Sequence, residues 1–207
     1  MALMVFLRHG QALNNVEKIL AGRTPGFGLT SRGTEQSRSA AHMLESLKIN
    51  KIYCSPIKRA HQTAKIVAEK VKADIILDDR LLELDMGSFT GLKYADLLHR
   101  YGNVFERFYY EDPELAKAGI ETFSDVKRRI SSMTEHVLKH HREENVLLVT
   151  HMDPIKAILA NVTGLHSASL CKLVIANASL NVFAHYDGSI YLKSINILDA
   201  TRLNDDW

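Results

Sequence analysis

Cysteine is scarce in this chain: Cys54 and Cys171 are the only two in 207 residues. Their spacing matches neither a disulfide framework nor a metal clip, so free thiols in a reducing compartment are expected. Long apolar runs are also missing. No stretch approaches the roughly 18 apolar residues that a membrane span needs, and no charged-then-apolar leader opens the sequence. The expectation is a cytoplasmic protein with no membrane partner. Net charge is low, at +2, and the basic residues are scattered rather than gathered into a stripe, which argues against nucleic acid as a partner. Only four prolines occur, with no repeats, low-complexity segments or linkers. One globular domain over 1–207 is expected, large enough to bury about 70% of its unfolded surface.

Short apolar runs, by contrast, are plentiful. Residues 2–7 form a core strand that ends abruptly in Arg8-His9-Gly10, with Gly10 expected to turn the backbone. A Gly/Pro-punctuated loop follows at 21–28. Thr30 is placed to cap a helix over 31–48, where Gly33 in the first turn costs about 1 kcal/mol against alanine. Strands are expected at 51–53, 75–77 and 146–149. Ser55-Pro56 and Asp153-Pro154 each read as an N-cap followed by proline at the first helical position. Thr122 and Asp125 form a capping box for a helix buried through Phe123, Val126, Ile130, Met133 and Val137. Asp187-Gly188 joins two final strands in a hairpin, which puts antiparallel strands at one sheet edge. The alternation of strands and helices predicts an α/β fold, a three-layer α/β/α sandwich with a mostly parallel sheet and an antiparallel edge.

Polar residues at strand ends carry the functional signal, since ligands bind at the carboxyl ends of strands in open α/β sheets. Arg8 suits an anion through its bidentate geometry, and His9 beside it is a competent nucleophile near neutral pH. The alternative for this pair is a structural hydrogen bond or ion pair. Arg59 falls in the first turn after a strand end, or else is a surface arginine. His151 repeats the placement of His9. Glu83, between leucines, has the setting of a carboxylic acid kept protonated near pH 7, unless Arg80 pairs with it. Aromatics gather between 84 and 120 (Phe89, Tyr94, Tyr101, Phe105, Phe108, Tyr109, Tyr110), as core beneath a helical insertion or as a pocket wall. His136 and His140 lie one turn apart with no third ligand spaced to join them, so they and His141 are read as solvated residues facing a helix C-terminus. No metal site is expected.

The ordered set Leu7-Arg8-His9-Gly10-Gln11 with Asn15, Leu29-Thr30 with Gly33 and Gln36, Ser55-Pro56-Ile57-Lys58-Arg59-Ala60 with Gln62-Thr63-Ala64, Leu82-Glu83 with Gly87 and Gly91, and Thr150-His151 resembles the histidine phosphatase superfamily, in its phosphoglycerate mutase-like branch. The resemblance covers nearly the whole chain. It implies that His9 is the nucleophile that becomes phosphohistidine, with Arg8, Asn15, Arg59 and His151 holding the phosphoryl group and Glu83 donating the proton. Where the family usually has glycine after the second histidine, this chain has Met152 and then Asp153, which competes with Glu83 as an acid.

The function so implied is a metal-independent phosphatase that hydrolyses small-molecule phosphomonoesters without a cofactor, beneath an insertion at about 84–120. The alternative within the same chemistry is a cofactor-dependent phosphoglycerate mutase primed by 2,3-bisphosphoglycerate. The mutases it resembles carry a longer insertion with an adjacent arginine pair and a proline run, absent here. A phospho-ligand-binding domain without catalysis would keep the arginines but lose His9 or Glu83. A cysteine-based phosphatase using Cys54 and Arg59 fails on spacing, with four residues and no glycine between them. Oligomeric state is left open, a homodimer being one option.

Overall fold

Six strands form one sheet in the order β3-β2-β4-β1-β5-β6, in a computed structural model that describes residues 2–199. Ala2–Arg8 (β1), Ile49–Cys54 (β2), Ile75–Leu77 (β3) and Asn145–Thr150 (β4) run parallel, and Leu180–Tyr186 (β5) and Ser189–Ile197 (β6) close one edge antiparallel. β1 and β4 are apolar on both faces because helices cover both, as expected of central parallel strands. On one face Val5, Leu7, Ile52, Cys54, Leu147 and Val149 pack with the helices Ser31–Leu44 (α2) and Lys58–Val71 (α3). On the other, Met4, Phe6, Tyr53, Val146, Leu148 and Phe183 meet Phe123–His140 (α7) and Met152–Thr163 (α8). The shorter helices are Leu13–Val16 (α1), Tyr94–Tyr101 (α4), Val104–Tyr109 (α5) and Pro113–Lys117 (α6).

Local chemistry explains most boundaries. The Thr30 hydroxyl accepts from Gly33 N at 2.9 Å to start α2, which stops at Leu44 and tightens into a 3₁₀ turn, Glu45–Leu47, before Lys48 turns left-handed. The capping box of α7 forms as expected, with Asp125 N donating to Thr122 Oγ1 at 3.1 Å and Thr122 N to Asp125 Oδ2 at 3.3 Å. α8 ends at Gly164, in the left-handed region.

Four local expectations are corrected. Ser55 is not the N-cap of α3, which begins at Lys58 behind Ile57. Asp153 does not cap α8 either: His151 holds that position in extended conformation, and Pro154 falls at the third helical residue. Proline is tolerated there because none of the first four N–H groups of a helix has an intrahelical partner. Gly10 is needed for close approach and not for a left-handed turn: a Cβ on it would lie 2.3 Å from Gly33 O, and one on Gly33 would lie 1.9 Å from Gln11 O. The two glycines let α2 press onto the backbone that follows β1. Finally, His140 is exposed as expected, but His136 and His141 are only partly solvated. Their Nε2 atoms bracket the Tyr53 hydroxyl at 3.1 and 2.8 Å, and His141 Nδ1 meets Glu144 at 2.5 Å.

The aromatic segment mostly builds core: Phe89, Phe108 and Tyr109 are buried, with Phe108 and Tyr109 edge-on to Phe123, whereas Tyr101 and Tyr110 are exposed. No helix among the described residues is long and apolar enough to cross a membrane.

Candidate active site

Strand register brings three strand ends level. Arg8 lies opposite Thr150 and Cys54 opposite Val149, and the ladder extends one step further through His9 N to Thr150 O and Ser55 N to Val149 O, each 3.0 Å. His9, Ser55 and His151 therefore emerge side by side, and the His9 and His151 rings stand edge to face with centroids 5.1 Å apart. The first turn of α3 adds Arg59, whose Nε lies 3.2 Å from His9 Nε2. An arginine N–H can only donate, so Nε2 of His9 accepts and its proton sits on Nδ1, which donates to Gly10 O at 2.7 Å. His9 thus presents a lone pair on Nε2.

Both histidines are held well below the ordinary imidazole pKa, by burial first and by the Arg59 guanidinium second. A neutral His9 is the nucleophilic form. The arginines are anchored through part of their donors: Arg8 Nη1 donates to Ile175 O, and Arg59 Nη2 to Gly22 O at 2.9 Å. Burial lowers the pKa of both, that of Arg59 to about 10. Three buried polar atoms of these residues, Arg8 Nε, Arg59 Nη1 and His151 Nδ1, have no hydrogen-bond partner among the described residues. Buried donors are rarely left so, and a cluster of them around a nucleophile is the arrangement that receives an oxyanion.

Glu83 follows the 3₁₀ turn after β3 and is half-buried. Arg80 does not pair with it, being bound to Asp78 at 2.6–3.2 Å. Burial, and then the charge of Asp153, push the Glu83 carboxyl up to about 7, against the opposing pull of Arg59 and Arg8. Asp153 points the same way, accepting a hydrogen bond from the buried Tyr109 hydroxyl. Lys156, one turn on, has its Nζ 4.6 Å from the centre of the Tyr109 ring. Asn15 is less engaged. Its Oδ1 accepts from Ala12 N at 2.9 Å, closing its own turn, and among the described residues no hydrogen bond joins it to Arg8, His9, Arg59 or His151.

Sequence reasoning missed three contributors. Ser55 bonds His151, with Oγ 2.8 Å from Nε2; its apparent cap signal hid this. Tyr109 reaches Asp153 from a distant segment, so nothing local announced it. Arg23, in the Gly/Pro loop, donates to Glu83 O at 3.0 Å and ion-pairs with Glu121 at 3.0 Å, tying the loop to the acid. Cys54 plays no nucleophilic part: burial drives its thiol far above the usual range. Among the described residues no group of three or more histidine, cysteine and acidic side chains is arranged to hold a metal.

An arginine-flanked histidine beside a second histidine and arginine, at the carboxyl ends of parallel strands, is a cationic site suited to an oxyanion in an α/β fold. The model of the histidine phosphatase superfamily, branch 1, matches residues 4–198, and the chain belongs to that family of phosphatase and phosphoglycerate mutase enzymes. It is 27% identical over 200 residues to phosphoserine phosphatase 1 of Hydrogenobacter thermophilus, covering 95% of this chain and 93% of that one. It is 31% identical over 204 residues to the 2,3-bisphosphoglycerate-dependent phosphoglycerate mutase of Thermoplasma acidophilum, covering 98% and 97%. Among solved structures, a mycobacterial glucosyl-3-phosphoglycerate phosphatase with VO3 superposes with a TM-score of 0.83 at 25% identity, over 95% of this chain and 99% of that one.

Proposed function

We propose that the protein is a phosphatase that hydrolyses small-molecule phosphomonoesters through a phosphohistidine on His9 and needs no metal. The observation that carries this reading is the set of buried, partnerless atoms Arg8 Nε, Arg59 Nη1 and His151 Nδ1 grouped with a neutral His9. In the first step the His9 Nε2 lone pair forms an N–P bond as the P–O bond to the leaving group breaks, and Glu83 protonates the departing oxygen. In the second, water attacks phosphorus, Glu83 takes its proton, and the N–P bond breaks to release phosphate and free His9. Negative charge spread over the equatorial oxygens is met by the two guanidiniums and His151, and Asn15 Nδ2 is assigned a supporting contact.

The chain is read as one domain, with 84–120 as the cover of this site. Its ties support this: Leu20 N to Leu92 O at 2.9 Å and Tyr94 N to Lys18 O at 3.0 Å hold the segment against the chain following His9. The second reading is a phosphoglycerate mutase, favoured by the 31% identity to the Thermoplasma acidophilum enzyme. A mutase must keep water from its phosphohistidine while the substrate reorients, and the short insertion argues against that.

The test is the fate of the phosphoenzyme. Brief incubation with a labelled phosphomonoester should trap an acid-labile, alkali-stable phosphoprotein, absent in His9→Ala, and turnover in that variant should fall on the order of 10³-fold or more. With 3-phosphoglycerate, with and without 2,3-bisphosphoglycerate, free phosphate should exceed isomerised product. Isomerisation faster by orders of magnitude would establish the mutase instead.

A further inference from the structure

Ser55 and His151 are both fully buried at adjacent strand ends, and their side chains meet at 2.8 Å between Oγ and Nε2. The other polar groups of Ser55 are already engaged. Its N–H donates to Val149 O at 3.0 Å, its carbonyl accepts from Cys54 Sγ at 3.0 Å, and its Oγ accepts from Ile57 N at 3.3 Å. Among the described residues, one partner is left for the hydroxyl proton, and that partner is His151 Nε2.

The direction of this bond decides what His151 shows to the site. Burial and the neighbouring Arg59 keep the ring neutral, so it carries a single N–H and must choose a tautomer. If Nε2–H donated to Ser55, the hydroxyl would accept twice and its own proton would have no acceptor. His151 Nδ1, which is buried without a partner, would then aim a lone pair at an incoming oxyanion. In the reverse direction the hydroxyl both accepts and donates, and Nδ1–H is left as a donor for an incoming oxyanion. Resting on the phosphoryl-transfer reading above, we propose that Ser55 is a positioning residue that fixes the tautomer of His151, its hydroxyl donating to Nε2 so that Nδ1–H is presented to the phosphoryl oxygens. His9 is fixed by the same kind of device, its Nδ1–H committed to Gly10 O so that Nε2 stays unprotonated. Two neighbouring imidazoles are thereby locked into the same tautomer for opposite tasks, one as a nucleophile and one as a donor.

Histidine ring nitrogens can be read directly in protein labelled with ¹⁵N at histidine, at pH 7.5, with the His151 signals assigned by their loss in His151→Gln. The wild type should show a protonated Nδ1 and a pyridine-like Nε2 for His151. Ser55→Ala should lose that preference, with Nε2–H gaining population, while its melting temperature stays near that of the wild type. Its kcat/KM should drop on the order of 10- to 100-fold, the usual loss when the partner that orients a functional histidine is removed, and inhibition by vanadate should weaken. A wild-type His151 protonated on Nε2, or a Ser55→Ala enzyme as active as the wild type, would overturn the proposal. The wild-type spectrum decides the tautomer even where the variant does not fold. Failure of the underlying reading shows separately, as a wild-type enzyme that forms no phosphohistidine whatever the His151 tautomer.

Discussion

Glu83 has to be an acid when the substrate arrives and a base one step later, and its surroundings set the pH at which both are possible. With its carboxyl pushed up to about 7 by burial and by Asp153, it is about half protonated in neutral solution and can serve in either form. On alkyl phosphates, kcat/KM should hold below about pH 7 and then fall about tenfold per unit, because each unit removes nine-tenths of the remaining acid. Glu83→Gln should lose that limb and about 10²- to 10⁴-fold in rate on alkyl phosphates, with much smaller losses on aryl phosphates whose phenols depart unaided. Equal losses on both would make Glu83 structural. Asp153→Asn separates the two carboxylates. Removing its negative charge makes Glu83 easier to ionise, so the limb should move to lower pH while the alkyl-to-aryl ratio stays close to that of the wild type; a collapse of that ratio would make Asp153 the acid. The leucines around Glu83 made its raised pKa legible in the sequence. The contribution of Asp153 was not, since Pro154 beside it suggested a cap, and the Tyr109 hydroxyl that holds it comes from 44 residues earlier.

Between elements, the tightest contact near His9 is that of α2 with the backbone after β1. Gly33→Ala would improve intrinsic helix propensity by about 1 kcal/mol, yet a Cβ there would lie 1.9 Å from Gln11 O and 2.9 Å from Gln11 N. Backbone cannot yield as a flexible side chain does, so the steric term wins. The variant should be destabilised by roughly 1–3 kcal/mol, as overpacking usually is, with activity reduced because Gly10, next to the nucleophile, moves too. Denaturant unfolding and kcat/KM measure both; a variant as stable and as active as the wild type would refute the argument. What the sequence revealed of the elements follows the same division between local and distant causes. Apolar runs located β1 to β4, Asp187-Gly188 located the hairpin of β5 and β6, and Thr122 with Asp125 located the start of α7, because those signals act within a few residues. Proline placed α3 and α8 only to within two residues, since it fits ahead of an N-cap, as Pro56 does, as well as inside a first turn, as Pro154 does. The bracketing of Tyr53 by His136 and His141 was hidden, because strand and helix meet there only in three dimensions.

Across the whole molecule the site is a region where stability is given up for function. Arg8, Arg59, His9 and His151 are buried together, two of them cationic and near one another, with three polar atoms partnerless. Acid should expose this. Both histidine pKa values are depressed in the folded protein, so the unfolded chain takes up protons there first. Their contribution to stability is fully present above the unfolded value of about 6.5 and is lost as the pH falls from there through the folded values. An oxyanion acts in the opposite sense, since it binds the folded pocket and has no comparable site on the unfolded chain. Inorganic phosphate at about 100 times its Kd should add about 2.7 kcal/mol, which at this size raises the Tm by roughly 5–10 °C. Arg59→Met removes one cation and one of the unmatched donors, so its Tm should barely respond to phosphate. Calorimetry at pH 7.5 with increasing phosphate, in wild type and variant, checks this at a matched ionic strength set with chloride. A phosphate response of equal size in both proteins would place the anion elsewhere on the molecule and remove the Arg8, Arg59 and His151 cluster as its receptor.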